Sequence, residues 1–290
     1  MSRDWRDRWL GIDFSGNRRM WSTGCGCSNV WIADVRRNNE LVLCGLRRVQ
    51  ELSGDGTPFQ RLRTLLADQR FNAAGIDAPF SVPSEYIPLG SHRGLLTVTS
   101  AIQRPVGRCF PVAHDFVDRI ISGRDMSAAK PLRETEKCWQ KLGVNVRSTL
   151  WAGSRGGAAM TSACLTLLNE AGGPIWPWDQ AGPGLLVEAF PAAQLSHWEL
   201  PHQRYSGKEP DQLSNRRRII GFLSQRMTLD RQKRQIMADS VDALDAVICA
   251  YAAIAVTTGR VLEPSTPPAP EEGLIAVHSH LECETHRVAL

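Results

Sequence analysis

Three short apolar segments of this chain each end on an acid. Trp-Leu-Gly-Ile-Asp (9–13) closes on Asp13, Ala-Ala-Gly-Ile-Asp (73–77) on Asp77, and Gly-Leu-Leu-Val-Glu (184–188) on Glu188. Two more acids, Asp242 and Asp245, open an apolar stretch that runs to Ala253. Aspartate is a poor strand former and is rarely buried without a partner. Its recurrence at the ends of core strands therefore calls for a chemical reason. Acids gathered at one sheet edge repel each other unless a cation neutralises them, and hard oxygen donors select Mg²⁺ or Mn²⁺.

The spacing of apolar residues predicts the frame around them. Residues 8–13, 30–35 and 41–49 read as three strands, the last two joined by the polar turn Arg-Arg-Asn-Asn-Glu (36–40). Residues 57–69 carry apolar side chains at 59, 62, 65 and 66, a helical spacing, and 71–77 is a buried strand. A meander followed by a crossover helix predicts a mixed sheet with the fourth strand parallel to the first. Asp13 and Asp77 would then share the carboxyl-terminal edge, where open α/β sheets bind ligands.

From about 80 to 180 the chain reads as a long, less regular insertion capping the site, with helices expected near 127–142 and 160–171. A fifth strand at 185–190, a basic helix at 209–227, a helix at 240–256 and a last short strand within 271–277 follow. The expected fold is α/β, a mixed five-stranded sheet flanked by helices, forming one domain over 1–277 with a flexible tail at 278–290.

Composition excludes little. The chain is 42% hydrophobic and 22% charged, with a net charge of +4, compatible with a polyanionic partner without requiring one. Its longest apolar run, Ala246 to Val256, is about half of the roughly 20 residues that span a bilayer. The N-terminal residues lack the apolar core of a secretory signal. A cytoplasmic protein with no membrane partner is expected. Of the eight cysteines only Cys25 and Cys27 are close in sequence, and they lack a second pair to complete a zinc site.

On a helix, residues 242 and 245 emerge about 60° apart on one face. Together with the order of elements, they give the chain the look of the ribonuclease H-like superfamily, and the Asp-x-x-Asp-Ala helix is similar to that of RuvC-type resolvases. A closer resemblance is to the domain of unknown function 429 family, regarded as predicted ribonuclease H-like nucleases. It is carried by Gly11-Ile-Asp13-x-Ser-Gly, Gly75-Ile-Asp77-Ala-Pro79, Arg133-x-Thr135-Glu136, Val187-Glu188-x-x-Pro191, Asp242-x-x-Asp245-Ala and Glu272-Gly-Leu-Ile, and runs from about residue 9 to 277. Asp239-Ser-Val-Asp242 also fits the resolvase pattern, so Asp239 is an alternative to Asp245.

The resemblance implies two-metal phosphodiester hydrolysis, with two cations about 3.5–4 Å apart. Asp13, Asp77, Asp242 and Asp245 would ligate Mg²⁺ or Mn²⁺, with Glu188 as a further catalytic acid. Ser15, Arg104, Arg108, Arg133 and Lys208 are candidates for holding the phosphates of a nucleic acid or another phosphoester. Arg133 and Glu136, three apart, could instead pair with each other, and Arg216-Arg217-Arg218 with Arg226, Arg231, Lys233 and Arg234 could track a nucleic-acid backbone or form a solvated helix face. Trp176-Pro-Trp178 is a candidate for base stacking. Two other readings stay open: an actin-like or sugar-kinase-type phosphotransferase, and an inactive nucleic-acid-binding scaffold.

Overall fold

The computed structural model describes residues 4–126, 129–179, 182–264 and 267–279. Its centre is an open five-stranded mixed sheet. Strand β1 (Arg8–Asp13) pairs antiparallel with β2 (Trp31–Asn38), which pairs antiparallel with β3 (Glu40–Arg48). On its other side β1 runs parallel to β4 (Ala73–Asp77), and β4 runs parallel to β5 (Leu185–Ala189). The order is β3-β2-β1-β4-β5. Both faces are covered, so β1, β4 and β5 are apolar almost throughout.

Alternate side chains of each strand feed two cores. Leu10 and Ile12 face a core built with helices α1 (Pro58–Ala67), α2 (His92–Ser100), α3 (Ala113–Ile121) and α5 (Ala158–Ala171). Trp9 faces the opposite core, formed by α6 (Pro191–His197), α7 (Pro210–Ser224), α8 (Arg231–Asp239) and α9 (Val241–Thr258). Helix α4 (Glu134–Lys141) belongs to a small third cluster, where Trp139 meets Ala193 and Ile275.

Helix α9 fixes the geometry that matters here. It is the one helix among the described residues long and apolar enough to cross a bilayer, yet it lies buried across β1, β2, β4 and β5. Gly11 and Gly75 stand opposite each other in the β1–β4 register. A Cβ at Gly11 would fall 2.0 Å from the carbonyl oxygen of Ala246, and one at Gly75 1.9 Å from that of Cys249. The two strands therefore leave out side chains where the helix backbone settles onto them.

Several expectations need correcting. The segment after β4 is more helical than its prolines suggested, because Ser91 caps α2 by accepting from the amide of Gly94 and α3 follows at 113. The helix expected over 127–142 is confined to Glu134–Lys141, with Arg133 in extended backbone as its N-cap; residues 127–128 lie outside the described residues. No strand forms within 271–277. Gly273 has φ 72°, and the backbone there bonds singly to separate partners: Ala276 donates to the carbonyl of Glu188, and Ile275 to Thr135 Oγ1. Most of the expected tail, 280–290, lies outside the described residues.

Candidate functional site

Parallel pairing sets Asp13 directly beside Asp77 at the carboxyl ends of β1 and β4. The first turn of α9 lies above them. Ser240 caps that helix, accepting from the amide of Ala243, and Asp242 and Asp245 follow. Asp13 is buried, whereas Asp77, Asp242 and Asp245 keep part of their surface open.

The electrostatics are those of acids without enough counter-charge. Burial pushes the Asp13 carboxyl well up, and the charges of Asp77, Asp245 and Asp242 push it further. The contact between the two side chains acts in the sense that raises Asp13 and lowers Asp77. Asp77 is itself pushed up to about 7, by burial above all, although Arg147 pulls it down. Burial and Asp77 also hold Asp245 well above the usual carboxylate range. Neighbouring carboxylates disfavour each other's ionisation, and a cation beside them would relieve that cost.

Two residues position Asp245. The Tyr205 hydroxyl donates to its Oδ1 at 3.0 Å. Arg216 holds the Tyr205 segment, donating to the carbonyls of Tyr205 at 2.9 Å, Gly207 at 2.7 Å and Ala238 at 2.7 Å. Its charge also lowers Asp245 and Asp242. Arg216 is thus a buried joint, while Arg217 and Arg218 beside it are exposed.

A cavity of about 290 Å³ opens beside this group, and Asp77 and Asp245 line it. Asp77, Asp245 and Tyr205 form one side; Arg147, Gly156 and Gly157 come from the segment after α4; Glu188 and Phe190 close the end of β5. Glu188 is already engaged. Arg133 donates to both its oxygens, at 2.8 and 2.5 Å, and the amide of Phe80 donates to Oε2 at 3.0 Å. The same guanidinium reaches Glu136 Oε1 at 3.0 Å, so Arg133 is buried between two carboxylates. Glu272 extends this tie, accepting from the amides of Ser84 at 2.8 Å and Glu134 at 2.7 Å. The Arg-x-Thr-Glu motif therefore joins the insertion to the sheet edge and to the C-terminal segment.

A family model described as protein of unknown function, DUF429, matches residues 11–272 of the chain. The chain belongs to this family. No curated protein and no solved structure matches it.

In this DUF429 protein the structure brings together Asp13, Asp77, Asp242 and Asp245, with Glu188 on the cavity that Asp77 and Asp245 line but paired with Arg133. Asp239 is exposed at the end of α8, where Gln235 donates to it. Among the described residues no three histidine, cysteine, aspartate or glutamate side chains are grouped so that they could hold a metal ion as they stand.

The expected phosphate holders scatter. Ser15 is buried in the turn after β1, its hydroxyl accepting from the amide of Asn17. Arg104 donates to Glu170 and to the Cys109 carbonyl. Arg108 and the exposed Lys208 do not line the cavity, and Arg133 is committed to its two carboxylates. Trp178 stacks on His92 with ring centroids 3.5 Å apart, and Trp176 packs on the α9 core, so neither is free for a base. The cation facing the acids is Arg147, which no motif in the sequence singles out.

Proposed function

We propose that this DUF429 protein is a cytoplasmic ribonuclease H-like phosphodiester hydrolase dependent on Mg²⁺ or Mn²⁺. The observation that carries the reading is the group Asp13, Asp77 and Asp245. These acids meet at the carboxyl edge of parallel strands, short of cationic partners, and two of them, Asp77 and Asp245, line a cavity. A structural cluster would carry ion pairs of the kind that Glu188 and Glu136 make with Arg133.

The donor set suits hard divalent cations, being carboxylate oxygen throughout. Asp13, Asp77, Asp242 and Asp245 would hold them. When bound, such ions supply Lewis acidity toward the phosphoryl oxygens and toward water at neutral pH. The chain's own groups do the rest. Tyr205 orients Asp245 through Oδ1, and Arg216 holds Tyr205 in turn. Arg147, on the far wall, offsets the charge of an incoming phosphodiester. Glu188 serves as counter-charge to Arg133 and keeps the cavity's end closed.

The test is hydrolysis of labelled DNA, RNA and hybrid strands with Mn²⁺, with and without ATP. Cleavage that needs no ATP is expected. Asp13→Asn should abolish it while leaving the melting temperature unchanged or higher, because the substitution relieves repulsion. Retained cleavage, or a collapsed fold in that variant, would overturn the reading.

A further inference from the structure

The acidic cavity has a neighbour of opposite charge. Asn145, Val146 and Arg147 wall both the cavity and a second groove of about 430 Å³. This groove is lined by Lys130, Arg147 and Arg155 together with Gln140 and Trp151, and no acid lines it among the described residues. None of the three cations forms a salt bridge among the described residues, unlike Arg104, Arg133 and Arg204 elsewhere.

The aromatic ring in this groove is seated, not loose. Gly153 lies so close to the Trp151 indole that a Cβ there would stand 2.5 Å from Cζ2, and a Cβ at Gly156 would stand 1.7 Å from the Trp151 carbonyl oxygen. Lys130 Nζ lies 4.9 Å from the ring centroid, and part of the indole remains open to solvent. Arg155 is exposed in the left-handed region at φ 59°, where a long side chain sits only at some cost. A seated, partly exposed tryptophan among cations that form no salt bridge suits single-stranded nucleic acid: charge tracks the backbone while the ring, once Lys130 turns to a phosphate, stacks a base.

The two spaces also solve a problem for each other. A cluster of carboxylates repels a polyanion, so the phosphates flanking the reacting one need cations of their own. Arg147, on the shared wall, stands where one environment passes into the other. We propose that this groove binds the strand flanking the scissile phosphodiester, Lys130 and Arg155 meeting phosphates and Trp151 stacking a base. The substrate is then a single-stranded polynucleotide segment and not a small phosphoester. The proposal rests on reading the carboxylate cavity as hydrolytic.

Binding and chemistry are read separately in the test. Fluorescein-labelled strands of about twelve nucleotides, dT and U, are titrated by anisotropy against the wild type in EDTA across a salt series. Lys130→Ala combined with Arg155→Ala should flatten the slope of log affinity against log salt by about 1.4, at about 0.7 for each phosphate that is no longer neutralised. Trp151→Ala should weaken binding about 5- to 150-fold, the worth of one stacked base. Trp151→Phe should keep most of the affinity, which separates loss of the ring from loss of the fold. Binding of either strand with these two losses, in salt slope and on Trp151→Ala, supports the groove. An unchanged slope, an abasic strand bound as tightly as dT, or no strand binding at all would overturn it. Hydrolysis of bis(p-nitrophenyl) phosphate by the wild type in Mn²⁺ reads the carboxylate site by itself. Failure there is failure of the hydrolase reading and is distinguishable from failure of the groove.

Discussion

Replacing Asp77 with asparagine should stabilise the protein above neutral pH. In the folded chain its carboxyl titrates at about 7, against an ordinary value of 3.8. Below pH 3.8 the group is protonated in both states and contributes nothing to the difference between them. As pH rises, the unfolded chain ionises first, so stability is lost progressively up to about pH 7 and stays lost above it. At about 1.36 kcal/mol per pH unit the gap is worth at most about 4 kcal/mol, an upper bound because Asp13 and Asp77 act on each other's titration.

Asparagine keeps the shape of Asp77, cannot ionise, and offers an amide N–H to Asp13. At pH 8 the variant should gain about 2–4 kcal/mol, or roughly 4–8 °C in melting temperature for a chain of this size. The difference between variant and wild type should shrink toward zero by about pH 4. Thermal melts from pH 4 to 8.5 in EDTA give that difference curve. A second series with Mn²⁺ should raise the wild type by about 2.7 kcal/mol at a hundredfold excess over its dissociation constant and leave the variant nearly unmoved. A variant less stable at pH 8, or a difference independent of pH, would refute the idea that these acids are held together against their own charge.

Two further outcomes bear on the frame around the site. Arg133→Met strands Glu136 and Glu188 in the interior and should cost about 3–5 kcal/mol by urea denaturation, and a loss under about 1 kcal/mol would mean the tie is dispensable. Gly75→Ala places a Cβ 1.9 Å from the Cys249 carbonyl oxygen, so α9 must back away. It should lose about 1–3 kcal/mol or more, together with about 100-fold in hydrolysis as Asp245 is displaced from the strand-end acids, and an unaltered melting curve would contradict the close approach.

The sheet was legible because each β1 and β4 residue has a local reason to be where it is. A continuous apolar run that ends on an acid reads the same in sequence as in space, and parallel pairing then fixes Asp13 beside Asp77. Asp245 was legible for a similar reason, being an acid amid a buried helical run. Glu188 looks identical at the level of sequence, since a strand-end acid facing a cation site and one facing an arginine leave the same trace; its partner Arg133 lies 55 residues away. Arg216 could have been separated from its neighbours, because helical spacing puts it on the face of Ile219, Ile220 and Leu223. Arg147 and Trp151 lie in a segment of irregular backbone, whose path follows from tertiary contacts and leaves no periodic mark.

The bare main chain at Gly11 and Gly75 has a consequence for how the acidic pocket meets its ligand. Side-chain contacts between a helix and a sheet can slide by a rotamer, but peptide planes in direct apposition have no such slack. The spacing between the strand-end and helix-borne carboxylates is therefore inherited from the polypeptide itself, and it is set before anything binds. A site assembled this way holds its electrostatic tension permanently, in the resting molecule.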